Sequence, residues 1–134
     1  MKTTKLMIKA HPLEPFCDSE KLAAAIAEIN ICAQACTACA DACLGEKNIA
    51  ELVGCIRSDL DCADICYATG AVLSRLTQPS RELLRSLVQA CAVACSVCAA
   101  ECEKHASMHE HCKLCGAACR SCEKECRNLL EVIR

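Results

Sequence analysis

Residues 112–126 read CKLCGAACRSCEKEC, with a cysteine at every third or fourth position. In an α-helix, steps of four and three residues turn the side chain by about +40° and about −60°, so the thiols stay on one face. Three other runs repeat this helical spacing, and the four runs hold 16 of the 17 cysteines. The runs are Cys32, Cys36, Cys39 and Cys43; Cys55, Cys62 and Cys66; Cys91, Cys95, Cys98 and Cys102; and Cys112, Cys115, Cys119, Cys122 and Cys126. They predict an all-α, up-down-up-down four-helix bundle with a cysteine-lined core.

Caps and helix breakers between the cysteine runs predict the domain and helix boundaries. Pro12 and Pro15 predict an irregular N-terminal lead-in over residues 1–17, so the bundle domain is expected over residues 18–134. The predicted helices run from Asp18 or Ser19 to Leu44, where Gly45 ends the helix; from an Asn48–Glu51 capping box to Leu76; from Pro79 to about Lys104; and from a Ser107–Glu110 capping box to the C-terminus.

The positions of the cysteines along the predicted helices divide the core into two ends. Antiparallel packing of the helices brings all four cysteine runs towards the same end of the bundle, and aliphatic residues fill the other end. We call this aliphatic end the plug; it comprises Leu22, Ile26, Ile29, Leu73, Leu76, Leu84, Leu87, Val88, Leu129 and Ile133. We call the thiol end the mouth; its loops are residues 45–47 and 105–107, beside His105, Met108, His109 and His111.

Charge and hydropathy argue against two classes of partner. The net charge is −2 and the charged residues are scattered along the chain, so no nucleic acid is expected as a partner. Residues 1–10 carry three lysines and no long apolar run, which argues against a secretory signal or a membrane anchor. We therefore expect a cytoplasmic protein that does not bind a membrane.

A chain this rich in cysteine is either a disulfide scaffold or a metal site. Disulfide scaffolds belong to small, loop-rich chains in oxidising compartments, and an odd number of cysteines leaves one unpaired. Helical neighbours three or four residues apart are separated by about 5–6 Å at Cβ, whereas a disulfide requires about 3.5–4.5 Å. Metal binding is therefore the better interpretation.

Thiolates are soft ligands that suit a soft metal, above all Cu(I). Cu(I) accepts linear or trigonal thiolate coordination, and one thiolate can bridge two ions, so many ions can share a cysteine-lined core. One C-x-x-C pair on a helix would be a weak signal, but sixteen cysteines in phase form a strong one. The sequence predicts storage of multiple Cu(I) ions by a protein that is not an enzyme.

Three other residues are predicted to supplement the thiols as metal ligands. Asp59 lies four residues after Cys55 and three before Cys62, where the rhythm would otherwise place a thiol. An unpaired carboxylate in such a core is costly, so a metal ligand or a neighbour of the metal is expected there. His105 and His109 continue the cysteine face of the third helix, and imidazole suits Cu(I). The sequence leaves open whether Cys17, Met108 and His111 bind metal.

The chain resembles the bacterial copper storage proteins, which are four-helix bundles whose cores are filled with Cu(I)-binding cysteines. The resemblance extends from Cys17 onward and is carried by the segments ICAQACTACADAC, CIRSDLDCADIC, CAVACSVCAAECEKH and HEHCKLCGAACRSCEKEC. It implies Cu(I) storage by the cytosolic branch of the family, a homotetramer of bundles, and His and Asp ligands beside the thiols. A copper chaperone or a low-molecular-weight thiol is the partner that such a store would use.

Three alternative functions also use cysteine thiolates. Iron–sulfur clusters usually take four ligands, often from loops, which leaves most of these thiols unused. Zinc sites need up to four ligands per ion and would hold far fewer ions. In a thiol redox protein the C-x-x-C pair belongs at a helix N-terminus, whereas the pairs here lie mid-helix.

Overall fold

The computed structural model describes residues 2–133, and four of its helices form a closed bundle. The helices are α1, Lys2–Ala10; α2, Ser19–Leu44; α3, Val53–Leu73; α4, Arg81–Glu103; and α5, Glu110–Leu130, with a 3₁₀-helix over Ile49–Leu52. α2 and α4 each pack against both α3 and α5, so α2 to α5 make a ring in chain order. Short connections make consecutive helices antiparallel. The predicted up-down-up-down bundle is confirmed.

The prediction of an irregular lead-in is wrong for residues 2–10, which form α1. Pro12 and Pro15 lie beyond Ala10, the last residue of this helix, so they follow it and do not interrupt it. α1 contacts α2 and contains no buried residue. It therefore lies on the outside of the bundle.

The first bundle helix begins and ends where the sequence predicts. The Asp18 carboxylate accepts a hydrogen bond from the backbone N–H of Lys21 at 3.0 Å, which caps α2. α2 ends at Leu44, followed by Gly45 with a φ of −86°. Because this φ is in the right-handed region, the end of α2 does not use the left-handed freedom of glycine.

Both predicted capping boxes are wrong. The side chains of Asn48 and Glu51 bond each other at 3.1 Å, and Asn48 makes no side-chain cap to the backbone. The 3₁₀-helix Ile49–Leu52 precedes α3. Ser107 lies in a turn in which the N–H of His109 donates to the carbonyl of His105, so the helix begins only at Glu110.

The other helix ends shift by a few residues from their predicted positions. α3 ends at Leu73, three residues before Leu76. The N-cap of α4 is Ser80, whose hydroxyl accepts from the backbone N–H of Leu83 at 3.2 Å, so Pro79 precedes the helix. α4 ends next to Lys104 as predicted.

The two-part core is confirmed. All 16 cysteines of the four runs are at most 2% exposed. The plug residues are buried as well, except Leu87, which is half-buried. Leu52 of the 3₁₀-helix is also fully buried, although it was not predicted to be. The thiol core therefore lies between the aliphatic plug and the connections at the mouth.

Two helices of the bundle, α2 and α4, are long and apolar enough to cross a membrane by length and composition. Their cysteines, leucines and alanines are instead packed inside the bundle. A core helix of a soluble protein passes the same test of composition.

Candidate metal centre

The thiols of the core lie in direct contact with one another. The contacting Sγ atoms of neighbouring cysteines are 3.6–3.9 Å apart, within helices and between them. A disulfide bond would bring the two sulfurs to about 2.05 Å, and all 17 cysteines are free thiols. The core is therefore a reduced array of ligand atoms.

Thiols from all four bundle helices meet at single points of the core. Cys32 of α2 is 3.9 Å from Cys62 of α3, 3.9 Å from Cys95 of α4 and 3.7 Å from Cys119 of α5, in each case between Sγ atoms. These residues are 30 to 87 positions apart in the chain, so they meet because the four helices pack together with their cysteine faces turned inward. The predicted convergence of the cysteine faces is confirmed.

The ligand atoms form overlapping sets. In each set, all ligand atoms lie within 4.8 Å of one another. Five of these sets are Cys39, Cys43, His111 and Cys112; Cys39, Asp59, Cys102 and Cys115; Cys36, Cys98, Cys115 and Cys119; Cys32, Cys36, Cys62 and Cys119; and Cys32, Cys66, Cys95 and Cys122. Each set in this order shares at least one thiol with the next. The sets therefore form a continuous path from the mouth towards the plug.

Asp59 lies inside the thiol core, as its position in the cysteine rhythm predicts, and it is fully buried. Its Oδ1 accepts hydrogen bonds from the thiols of Cys98 at 3.0 Å, Cys115 at 3.3 Å and Cys102 at 3.5 Å. Its Oδ2 lies 3.8 Å from the Cys55 sulfur. Burial, and after it the charge of Cys115, raises the pKa of Asp59 to about 8. The carboxyl group is therefore largely protonated at neutral pH when no metal is present.

Two thiols near the mouth, those of Cys43 and Cys112, are also protonated at neutral pH. Burial raises the pKa of Cys43 to about 11 and that of Cys112 to about 12. A metal ion binds the thiolate, so these groups must release their protons when an ion arrives. Cys43 and Cys112 are therefore neutral before an ion arrives, which removes the repulsion that two thiolates at the mouth would cause.

His111, which the sequence left open, contacts the thiol core directly. Its Nδ1 lies 3.4 Å from the sulfur of Cys39 and 3.6 Å from that of Cys112. Sequence reasoning did not select it because it immediately precedes Cys112 and so does not share the cysteine face of α5. The ring reaches instead across the mouth to a cysteine of α2.

His109 and His105, which were predicted as ligands, lie beside the core in different surroundings. The side chain of His109 is 10% exposed, and its ring stacks on His111 with centroids 5.4 Å apart. Its Nδ1 is 2.9 Å from Glu46 Oε2, and its Nε2 is buried with no hydrogen-bond partner within residues 2–133. The Nε2 of His105 is 4.0 Å from Glu101 Oε1. Metal binding by both histidines stays a prediction.

Glu46 is a mouth residue that the sequence analysis missed. It lies in the loop after α2, and its Oε2 is 2.9 Å from His109 Nδ1 and 2.9 Å from His111 Nε2. A loop has no hydrophobic or cysteine periodicity, so the sequence contained no pattern that could single out this carboxylate.

Cys17 and Met108 lie apart from this centre. The sulfur of Cys17 is 3.8 Å from the carbonyl oxygen of Asp18, and burial raises the pKa of this thiol to about 11. The side chain of Met108 is 67% exposed, so it lies at the surface of the mouth.

Comparisons with known proteins agree with the geometry of this centre. The sequence model of the family described as Csp, copper storage protein, matches residues 18–131. A protein of Bacillus subtilis (strain 168), described as the uncharacterized cysteine-rich protein YhjQ, is 38% identical over 98 residues, which are 73% of this chain and 85% of that protein.

Solved structures resemble the whole bundle. One is the copper storage protein Ccsp from Streptomyces lividans, loaded with 10 copper equivalents. It is 50% identical with a TM-score of 0.93, and the match covers 96% of this chain and 98% of that one. A structure of copper loading to a cytosolic copper storage protein from Streptomyces lividans, with five coppers, is 56% identical, with a TM-score of 0.82 over 84% and 93% of the two chains.

Proposed function

The chain belongs to the copper storage protein family, and on that premise we propose that it stores many Cu(I) ions in the cytosol, held by the thiolates of its core. The observation that carries this proposal is the series of overlapping ligand sets from the mouth towards the plug. Shared sulfurs suit an ion of low coordination number whose thiolate ligands bridge neighbouring ions. The likeness to a protein loaded with 10 copper equivalents supports a large capacity.

The same overlap argues against the zinc alternative. A structural zinc site takes four ligands in a closed tetrahedron, so each Zn²⁺ ion would use more of the shared thiols than a two- or three-coordinate Cu(I) ion. Cys39 belongs to two neighbouring sets, as do Cys115, Cys36, Cys119 and Cys32. The same thiols therefore hold more Cu(I) ions than Zn²⁺ ions, which favours copper for a store.

We propose that the metal ligands are the 16 core cysteines, Asp59, His111, His109 and His105. The last two lie nearer the outside of the mouth. Asp59 is supported by its membership of a set with Cys39, Cys102 and Cys115. His111 is supported by its contacts to Cys39 and Cys112. His105 and His109 are supported by their low exposure beside the mouth.

The family resemblance also carries proposals about assembly and partners. We propose a homotetramer that is not an enzyme and that exchanges copper with a chaperone or a low-molecular-weight thiol. Exposed apolar side chains on the outer faces of α3 and α4, such as Leu60, Tyr67, Val93 and Val97, support self-association. Native mass spectrometry of the intact protein tests the tetramer.

An anaerobic titration with Cu(I) against a competing chelator tests the storage function. We expect about ten or more tightly held ions per chain, as in the similar protein loaded with 10 equivalents, and no visible absorption from iron–sulfur charge transfer. A parallel titration with Zn²⁺ is the control and should saturate at fewer ions than Cu(I), because each Zn²⁺ takes four ligands. Saturation with Cu(I) at four ions or fewer would contradict storage.

A further inference from the structure

One carboxylate holds two histidines of the mouth in opposite orientations. Oε2 of Glu46 lies 2.9 Å from Nδ1 of His109 and 2.9 Å from Nε2 of His111. The two rings are stacked, with an interplanar angle of 21°. The same oxygen therefore contacts different nitrogens of two nearly parallel imidazoles, and it joins the loop after α2 to the start of α5.

The chemistry of the carboxylate determines where the protons lie. A glutamate carboxyl group is ionised at neutral pH, and Oε2 of Glu46 lies within hydrogen-bond distance of both rings. An ionised carboxylate only accepts hydrogen bonds, so each facing nitrogen carries the hydrogen. In the neutral rings, the Nδ1 of His111 and the Nε2 of His109 are then left with their lone pairs.

Both of these free nitrogens are placed for a ligand rather than for solvent. His111 Nδ1 faces the sulfurs of Cys39 and Cys112 at 3.4 Å and 3.6 Å. His109 Nε2 is buried and has no hydrogen-bond partner among the described residues. A buried polar atom without a partner is uncommon, and an arriving metal ion would satisfy it.

We propose that Glu46 is a positioning residue that sets the Nδ1–H tautomer of His109 and the Nε2–H tautomer of His111, so that both rings present a lone pair to Cu(I) at the mouth. This inference rests on the proposed copper storage. Carboxylates that accept from the second nitrogen of a metal-binding histidine orient the ring and raise its basicity. Glu46 does this for two histidines at once.

The first test reads the tautomers of the metal-free protein directly. Long-range proton–nitrogen NMR with isotope-labelled histidine, at neutral pH under reducing conditions, should show His109 as Nδ1–H and His111 as Nε2–H. E46A should convert His109 to a mixture of tautomers or to Nε2–H. The control is E51A, which removes a carboxylate bonded to Asn48 and to neither histidine and should leave both rings unchanged. Unchanged tautomers in E46A would overturn the proposal.

The second test measures the affinity of the first Cu(I) ions by chelator competition. E46A should weaken this binding by about 10–100-fold, the usual effect of losing such a partner, and should leave total capacity unchanged. In a H109A/H111A background, the further E46A substitution should have no effect, because Glu46 acts through these rings. An equal loss in that background, or none in wild type, would overturn the proposal.

The isosteric variant E46Q separates hydrogen bonding from a general effect of the substitution. Its amide oxygen still accepts hydrogen bonds but carries no charge, so its loss of affinity should be smaller than that of E46A. A loss equal to or larger than that of E46A would contradict positioning. Failure of the storage function is recognisable separately, since wild-type protein itself would then hold few ions.

Discussion

The thiol of Cys98 on α4 donates a hydrogen bond to Oδ1 of Asp59 on α3 across 3.0 Å, in the interior of the bundle. The carboxyl group is fully buried, and its other neighbours are thiols as well. Those donors compensate only part of the cost of burying a charge, which is why burial raises the pKa of Asp59 to about 8. Asp59 can therefore be neutral in the empty core and ionised once a cation is bound.

The raised pKa of Asp59 predicts a pH-dependent stability of the metal-free protein. Between about pH 4 and about pH 8 the folded state retains a proton that the unfolded state has lost, so the free energy of unfolding falls as the pH rises. D59N cannot ionise. Relative to wild type, the variant should therefore gain roughly 2–5 kcal/mol between pH 5 and pH 9, since each pH unit in this window contributes about 1.4 kcal/mol.

Urea denaturation of the reduced, metal-free proteins at several pH values measures this difference. The matched control is D61N on the same helix, where the carboxylate is exposed and paired with Arg57 at 3.0 Å. Its stability should follow that of wild type at every pH. Parallel curves for D59N and wild type would show that Asp59 does not titrate in this range.

The second prediction is that the metal-free protein is already folded and that loading releases protons. Buried neutral thiols pack as small apolar groups, and the aliphatic plug does not depend on metal. Far-ultraviolet circular dichroism should therefore show strong helix before any copper is added. Loading in weak buffer should release about one proton per thiol used, because the bound form is the thiolate. A random-coil spectrum, or loading without proton release, would contradict this prediction.

The helical phase of the cysteines made most of the core predictable. A residue such as Cys95 meets Cys32 because both faces point inward, and a spacing of three and four specifies a face without knowledge of the partner helix. The same argument placed Asp59, since it occupies a position in that rhythm. Fold, core and the inner part of the candidate centre all follow from one periodicity.

The mouth was less predictable because its residues lie in turns and loops. His111 reaches Cys39 of another helix, and Glu46 reaches back to two histidines; neither contact follows from a helical face. The capping boxes failed for a related reason. The side-chain amide of Asn48 donates a hydrogen bond to the carboxylate of Glu51 and not to the backbone. The sequence pattern cannot distinguish this side-chain pair from a capping box.

The third prediction concerns α1, which the sequence analysis did not expect. Deletion of residues 2–10 should leave the copper capacity unchanged and cost at most about 1–2 kcal/mol of stability. The helix buries no residue, and its ion pair between Lys5 and Glu20 is exposed on both sides, where such pairs contribute about 0–1 kcal/mol. Titration with Cu(I) and thermal unfolding measure both quantities.

Cys17 lies outside the ligand sets named above, so C17A should also retain the full copper capacity. C36A removes a thiol that two ligand sets share, so its capacity should fall.

The fourth prediction is that copper passes through the mouth. The polar groups that approach the thiol core there include His105 and His109, which are 17% and 10% exposed. Replacing both by Phe should slow loading and chelator-driven removal several-fold while the final number of ions stays nearly the same, since most thiols lie deeper. His111 is left intact because it contacts thiols of the core. Stopped-flow measurement of both rates tests this, and unaltered kinetics in the double variant would place the route elsewhere.

The fifth prediction is that the plug contributes stability and not access. Leu84 and Leu129 are 2% and 0% exposed at the end of the bundle remote from the mouth, so L84A and L129A should each cost about 2–5 kcal/mol through lost burial and the cavity left behind. Their rates of copper uptake should equal that of wild type, because ions do not cross this end. The control is L83A, a neighbouring leucine that is 54% exposed and should change stability little. Denaturant unfolding and uptake kinetics, measured on the same samples, separate stability from access. Faster uptake in L84A or L129A, with the helical spectrum preserved, would mean that the metal also passes through the plug.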